Sequence, residues 1–133
     1  TAMSEWVNTT SSMGVTTPIS YTKTTTQSSR RMDIYQVSTV NEWWGLTTMY
    51  NESTEVDPFS SNWAWGKIQL DADFSDLSEN KRLAVIAHEM GHVMGLAHSD
   101  FSNVLMRADI AYNSSSTSRA QTNDLGGINY LYK

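Results

Sequence analysis

Short stretches of alternating apolar and polar residues predict β-strands in the first half of the chain. The predicted strands are 19–22 (after Pro18), 32–37, 46–50 and 63–70. Within the last of these, Ile68 and Leu70 would point into the protein, because alternate side chains of a strand lie on the same face. Residues 51–62 are polar and are predicted to be a loop. The chain begins with an apolar spacing up to Val7 that is compatible with the end of a helix.

One later stretch has the spacing of an amphipathic helix. This stretch begins with a sequence typical of a capping box at 76–79. Its predicted buried side consists of Leu83, Ile86, Ala87, Met90, Val93 and Met94. A polar loop is predicted at 107–122, and a last helix at 123–132. Strands followed by helices predict an α+β fold.

Length and charge limit what the protein can be. The 133 residues are enough for one domain, 1–133. The net charge of −5 and the lack of a Lys/Arg cluster argue against nucleic acid as a partner. No run of about 18 apolar residues occurs, so no segment is expected to cross a membrane. The chain has no cysteine and therefore no disulfide.

The densest chemistry lies at 88–98, which contains all three histidines of the chain. Residues four apart on an α-helix lie one turn above each other and about 40° apart around the axis, so His88 and His92 can bind one ion. Gly95 can take the left-handed conformation that ends a helix, which lets His98 return to the same ion. Three neutral imidazoles favour zinc over other metals.

Glu89 follows the first of these histidines and is the candidate base for a zinc-bound water. Two plainer interpretations exist: ordinary surface or core histidines, and a purely structural zinc. A structural site is normally closed by a fourth protein ligand, typically cysteine, which this chain lacks. The spacing therefore predicts a catalytic zinc site.

Segment 88–98, followed by Ser99, resembles the zinc-binding segment of the metzincin metalloproteases and, among them, the matrixins. Residues 104–106 resemble the matrixin residues that lead into the methionine turn. Residues 123–132 are similar to the closing helix of that family. The resemblance implies a metzincin-like catalytic domain with a short twisted mixed sheet packed on the zinc-binding helix. It also implies that the first strand of the family precedes this chain, and that Met106 forms an apolar floor beneath the histidines without binding the metal.

The chain departs from the matrixin pattern where that family binds further metals. Gln69 stands in place of a histidine that binds a second, structural zinc, so one zinc per chain is expected. Asp71 matches a calcium ligand of the family, but the second ligand position is Phe74. The residues therefore do not favour calcium, and Asp71 with Asp73 is predicted to be a solvated strand end.

The resemblance implies a secreted zinc-dependent endopeptidase that hydrolyses peptide bonds through a zinc-bound water activated by Glu89. A peptide or protein substrate is the expected partner, without nucleic acid or membrane, and the chain is expected to be a monomer. Two alternatives remain open: a catalytically inactive, zinc-stabilised binding module, and a zinc hydrolase of a non-protein substrate. Glu89 argues against the first, because a structural site needs no unliganded carboxylate beside the metal.

The resemblance also implies which residues contact the substrate. An extended peptide would lie along the edge strand at Leu46, Thr47, Thr48 and Met49. Ala84, four positions before the first zinc histidine, would line the far end of the pocket for the side chain that follows the scissile bond. A methyl group there predicts a deep apolar pocket for Leu, Met, Phe or Tyr, unless the loop at 107–112 fills it. The alternative is that Ala84 only packs against the sheet.

Overall fold

Three helices and four strands form the regular structure of the residues that the computed structural model describes, namely 1–7, 13–109 and 119–133. The helices are α1 (Ala2–Val7), α2 (Glu79–Val93) and α3 (Thr122–Leu131), with short 3-10 helices at Gln27–Ser29 and Ala72–Asp76. The strands are β1 (Met32–Gln36), β2 (Gly45–Asn51), β3 (Thr54–Val56) and β4 (Trp65–Leu70). The predicted loop at 107–122 lies mostly outside the described residues.

The strands form one mixed sheet in the order β1-β4-β2-β3. β1 runs parallel to β4, whereas β2 is antiparallel to both β4 and β3. Burial alternates along β4, where Gly66, Ile68 and Leu70 are buried against α2. A four-stranded mixed sheet packed on a long helix confirms the predicted α+β class.

Gly66 brings the sheet close to α2. A Cβ atom at this position would lie 2.5 Å from Cγ2 of Val93, so any larger residue would push β4 away from the helix. α1 packs against the same helix, since the indole nitrogen of the buried Trp6 donates to the carbonyl of Ala87 at 2.9 Å. The position of α2 is therefore fixed from two sides.

The prediction of a strand at 19–22 is wrong. These residues have no strand structure, although Ile19 and Tyr21 do pack against the core. The Tyr21 hydroxyl contacts the sulfur of Met94 at 3.2 Å. The alternation thus reflects one buried side of an extended segment, whose backbone does not join the described sheet.

The prediction of an irregular loop at 51–62 is wrong in part, because β3 forms within it. β2 and β3 are joined by the two-residue turn Glu52-Ser53, in which Glu52 has φ 53°. That left-handed conformation is one that glycine or asparagine usually supplies. The turn therefore lacks the sequence signal by which a hairpin is normally predicted.

Asp71 is not a solvated strand end, which corrects the sequence prediction. Its side chain is 1% exposed, and it accepts hydrogen bonds from the backbone N–H groups of Asp73 at 2.9 Å and Asn41 at 2.6 Å. These N–H groups hold the pKa of the Asp71 carboxyl below its usual value. The carboxylate begins the 3-10 helix that leads into α2.

None of the helices in the described ranges is long and apolar enough to cross a membrane.

Candidate metal centre

α2 places His88 and His92 on one side, one turn apart, with their Nε2 atoms 3.1 Å from each other. The helix begins after Ser78, whose side chain accepts a hydrogen bond from the backbone N–H of Lys81 at 3.5 Å. His92 lies in the last turn of this helix. The way in which α2 ends therefore sets the direction of the chain that follows.

Gly95 turns the chain back after α2, as predicted. Its φ of 105° is left-handed, and its N–H donates to the carbonyl of His92 at 2.9 Å. The next N–H, of Leu96, donates to the carbonyl of Gly91 at 3.0 Å. These two bonds form a Schellman motif, which reverses the chain so that Nε2 of His98 lies 3.2 Å from Nε2 of His92.

Backbone carbonyls fix the protonation of two of the imidazoles. Nδ1 of His88 lies 2.8 Å from the carbonyl oxygen of Leu105, and Nδ1 of His92 lies 2.7 Å from that of Leu96. A carbonyl oxygen only accepts, so each Nδ1 carries the hydrogen and each neutral ring has its lone pair on Nε2. Burial lowers the pKa of His88 to about 3 and also lowers the pKa of His92, with the neighbouring imidazoles adding to it.

This arrangement fits a zinc ion. The three imidazoles offer ligand atoms that all lie within 4.8 Å of one another. Lone pairs brought this close repel one another unless a cation lies between them. Tetrahedral zinc with imidazole ligands needs nitrogen–nitrogen distances of about 3.3 Å, close to the 3.1 and 3.2 Å observed. The donor set and its spacing therefore match the predicted ligands His88, His92 and His98.

Glu89 lies beside the histidines without being one of the three grouped ligand residues. Its side chain is 7% exposed, and its Oε2 atom accepts a hydrogen bond of 2.6 Å from the Thr47 hydroxyl. Burial raises the pKa of Glu89 to about 7, and the Thr47 hydroxyl acts in the opposite direction. A buried carboxylate next to a metal site is suited to proton transfer.

Met106 lies beneath the histidine-bearing turn of α2. A Cβ added at Gly91 would collide with the sulfur of Met106, so a side chain at that position would have no room. The Met106 carbonyl also accepts from the N–H of Ser99 at 2.8 Å, directly after the third histidine. The Met106 side chain is buried, and its role as an apolar floor beneath the histidines stays a prediction.

Asp124 supports this turn, and sequence reasoning missed that role. Its carboxylate accepts from the N–H of Leu105 at 2.9 Å, of Met106 at 3.1 Å and of Gln121 at 2.7 Å. Asp124 therefore holds the very residue whose carbonyl orients His88. The capping box that it forms with Gln121 at the start of α3 was a signal that could have pointed to a buried carboxylate.

His92, His98 and Glu89 open into a cleft of about 470 Å³. β2 contributes Gly45, Leu46, Thr47 and Met49 to its lining, and the further lining residues are Pro58, Phe59, Trp63, Gly95, Leu96 and Ala97. Phe59 is 88% exposed, so this wall presents apolar surface to solvent. The contribution of the loop at 57–63 was not predicted.

The predicted edge strand needs a correction. β3 pairs with β2 at Met49, Tyr50 and Asn51, so that part of β2 is not an edge. Met49 is moreover buried. Within the described residues, the open edge runs over residues 45–48, which retains Leu46, Thr47 and Thr48 as candidates for main-chain pairing with a peptide.

Ala84 is buried in the core, and the described cleft is lined by other residues. It lies in α2, one turn before His88. The predicted pocket wall at 107–112 includes residues 110–112, which lie outside the described part of the chain. The deep pocket at Ala84 stays a prediction.

A protein-family model described as Matrixin matches residues 16–133. No curated protein and no solved structure matches the chain. The family match covers most of the chain, including the sheet, the three histidines and α3. It confirms the resemblance that the sequence motifs indicated.

Proposed function

From the premise that the chain belongs to the matrixin family, we propose that it is a zinc-dependent endopeptidase acting on peptide bonds of protein substrates. A zinc metalloprotease-like function follows from the family together with the histidine triad. One observation carries the finer proposal: Glu89 is buried beside three convergent imidazoles, yet it is held by Thr47 and is not one of the ligand residues. A site with only a structural metal has no use for such a carboxylate.

His88, His92 and His98 would hold the zinc through their Nε2 atoms. When bound there, zinc supplies Lewis acidity that polarises the scissile carbonyl and makes water easier to deprotonate. Glu89 accepts a proton from the attacking water and later donates it to the leaving amine nitrogen. The water oxygen thereby becomes bonded to the carbonyl carbon, and the carbon–nitrogen bond breaks. In this mechanism the three histidines bind the zinc, and Glu89 transfers the proton.

Residues 45–48 of β2 offer main-chain N–H and C=O groups to an extended peptide. Pairing of this kind binds a substrate without requiring one particular sequence. The apolar wall at Phe59 and Trp63 faces the same cleft and would contact the side chains of the bound peptide. A secreted location and a monomeric state are parts of the same proposal, and they rest on the matrixin resemblance.

The test is hydrolysis of a denatured protein by the purified chain with one equivalent of zinc, followed by mass spectrometry of the products. We expect internal cleavage that a chelator abolishes and that added zinc restores. Glu89→Gln is the matched control, because it keeps the three imidazoles. It should retain one zinc while peptide hydrolysis falls by about three or more orders of magnitude.

Each alternative function predicts a different result. A binding module would retain zinc and cleave nothing, so wild type and Glu89→Gln would behave alike. A hydrolase of another substrate class would leave proteins intact but cleave esters or other amides in a zinc-dependent way. Protein cleavage that survives in Glu89→Gln would contradict the role given to this residue.

A further inference from the structure

The side chain of Glu89 lies between α2 and β2, where two residues of the strand contact it. The Thr47 hydroxyl donates to Oε2 at 2.6 Å. Gly45 lies along the same side chain: an added Cβ at this position would be 2.7 Å from Cγ and 3.0 Å from Oε1 of Glu89. One carboxylate oxygen is thus held by a hydrogen bond, and the remainder of the side chain occupies space that only glycine leaves free.

The sheet register shows which face of β2 Gly45 and Thr47 occupy. Thr47 pairs with Ile68, and Met49 pairs with Gly66, and both of these β4 residues are buried against α2. Paired residues of neighbouring strands lie on the same face, so Gly45, Thr47 and Met49 all face the helix. The Thr47 hydroxyl therefore lies on the face of β2 that packs against the core.

Packing alone does not require that hydroxyl. Valine has the same branched shape and would fill the same space on the inner face of a strand. Among the described residues, the hydroxyl is within hydrogen-bond distance of Glu89 acceptors only, at 2.6 Å from its carboxylate and 3.1 Å from its carbonyl oxygen. A hydroxyl carries one hydrogen, and the shorter contact identifies the carboxylate as its acceptor.

We infer that Gly45 and Thr47 position the carboxylate of Glu89 for proton transfer, an inference that rests on the endopeptidase function proposed above. Thr47 holds Oε2, so Oε1 is the oxygen that takes the proton from the attacking water. Gly45 leaves the space that this orientation of the side chain requires. Thr47 is a positioning residue, since it acts through Glu89 and does not itself touch the substrate carbonyl.

The experiment compares Thr47→Val with Thr47→Ser, using a peptide that the wild-type chain cleaves. Loss of a hydrogen bond to a charged group predicts a kcat lower by about tenfold to a hundredfold in Thr47→Val. The KM and the zinc content should stay unchanged, because β2 keeps its main chain and the histidines are intact. Thr47→Ser keeps the hydroxyl and should restore kcat to within about threefold of wild type. Thr54→Val, at an exposed position of β3, is the matched control and should leave kcat unchanged.

A double variant separates positioning from a structural role. If Thr47 acts through Glu89, Thr47→Val should cause no further loss of the residual rate in a Glu89→Gln background. An equal loss in both backgrounds would overturn the inference, as would a wild-type kcat in Thr47→Val.

Gly45→Ala provides an independent test, because its Cβ would displace Glu89. It should lower kcat while one zinc is retained, and a wild-type kcat in Gly45→Ala would contradict the role of Gly45.

The outcomes also distinguish this inference from the proposed function. If the wild-type chain with zinc cleaves no peptide or protein, the proposed function is wrong and the inference falls with it. If the wild-type chain cleaves and Thr47→Val cleaves equally well, the inference alone is overturned.

Discussion

One side of the cleft is formed by α2 and the turn after it, and another side is formed by β2. The two sides differ in the sequence separation of the residues whose contacts form them. On the helix side, the contact between His92 and Leu96 spans 4 positions and that between His88 and Leu105 spans 17. On the strand side, Thr47 reaches Glu89 across 42 positions. The helix side thus comes largely from local geometry, whereas the strand side exists only once the sheet has packed on the helix.

This difference separates two functions of the site. The metal ligands lie within a short segment whose turn and helix bring them together. The orientation of Glu89 depends on a strand that is distant in sequence. We therefore expect changes on the helix side to affect zinc binding, and changes in sheet packing to affect turnover while zinc remains bound.

The largest expected effect is that of His92→Ala. Removing the central imidazole leaves two ligands, so the chain should lose zinc on dialysis and its activity should fall by about a thousandfold or more. Elemental analysis and peptide hydrolysis measure the two effects. Retention of one zinc per chain by this variant would show that another residue can replace His92, which contradicts the three-histidine set.

Gly66→Ala tests the strand side. Its Cβ would meet Val93 at 2.5 Å and push the sheet away from α2. Overpacking of this kind costs about 1–3 kcal/mol of folding stability. We expect a lower kcat with the zinc content unchanged, measured together with urea unfolding. If zinc were lost in parallel with kcat, the position of the histidines would depend on the sheet. That result would contradict the expectation that sheet packing affects turnover while zinc remains bound.

Gly95→Ala has the smallest expected effect. Alanine at a φ of 105° is strained, and its Cβ would lie 3.2 Å from Cδ1 of Leu131, a side chain that can move. The cost should be about 1–2 kcal/mol, with weaker zinc binding because His98 follows this turn. Competition with a chelating dye measures the zinc affinity.

The matched control for both glycine variants is Gly126→Ala. This position lies inside α3, and among the described residues no atom outside the backbone of that helix and the two chain neighbours lies within 4 Å of an added Cβ. Alanine favours a helix over glycine by about 1 kcal/mol, so this variant should be as stable as wild type or slightly more stable. A loss of zinc in Gly126→Ala would mean that glycine replacement affects the site through general destabilisation.

The local side of the cleft was also the one that could be predicted from the sequence. Helical spacing brings His88 and His92 together, and the glycine that ends the helix brings in His98. Such relations depend on a few neighbouring residues and on backbone geometry. The strands at 32–37 and 63–70 were likewise predictable from alternation. In β4 the alternation follows the buried face, whereas in β1 Ile34 is 45% exposed.

Contacts between distant segments could not be predicted in this way. Nothing in the sequence near Thr47 shows that its hydroxyl meets Glu89, since that contact depends on sheet register. The buried carboxylate of Asp124 likewise finds its N–H partners in another segment. The 19–22 stretch shows the same limit, because alternation reveals a buried face but not whether a neighbouring strand is available for pairing.

The hairpin of β2 and β3 has a consequence for how two copies of the chain meet. An open strand edge can pair with the same edge of another molecule, which is a route to aggregation. β3 covers β2 from Met49 onwards, so within the described sheet the open part of β2 itself is residues 45–48, next to the outer edge of the short strand β3. Those are the residues that would hold an extended peptide. Self-association through this part of β2 and substrate binding therefore exclude one another.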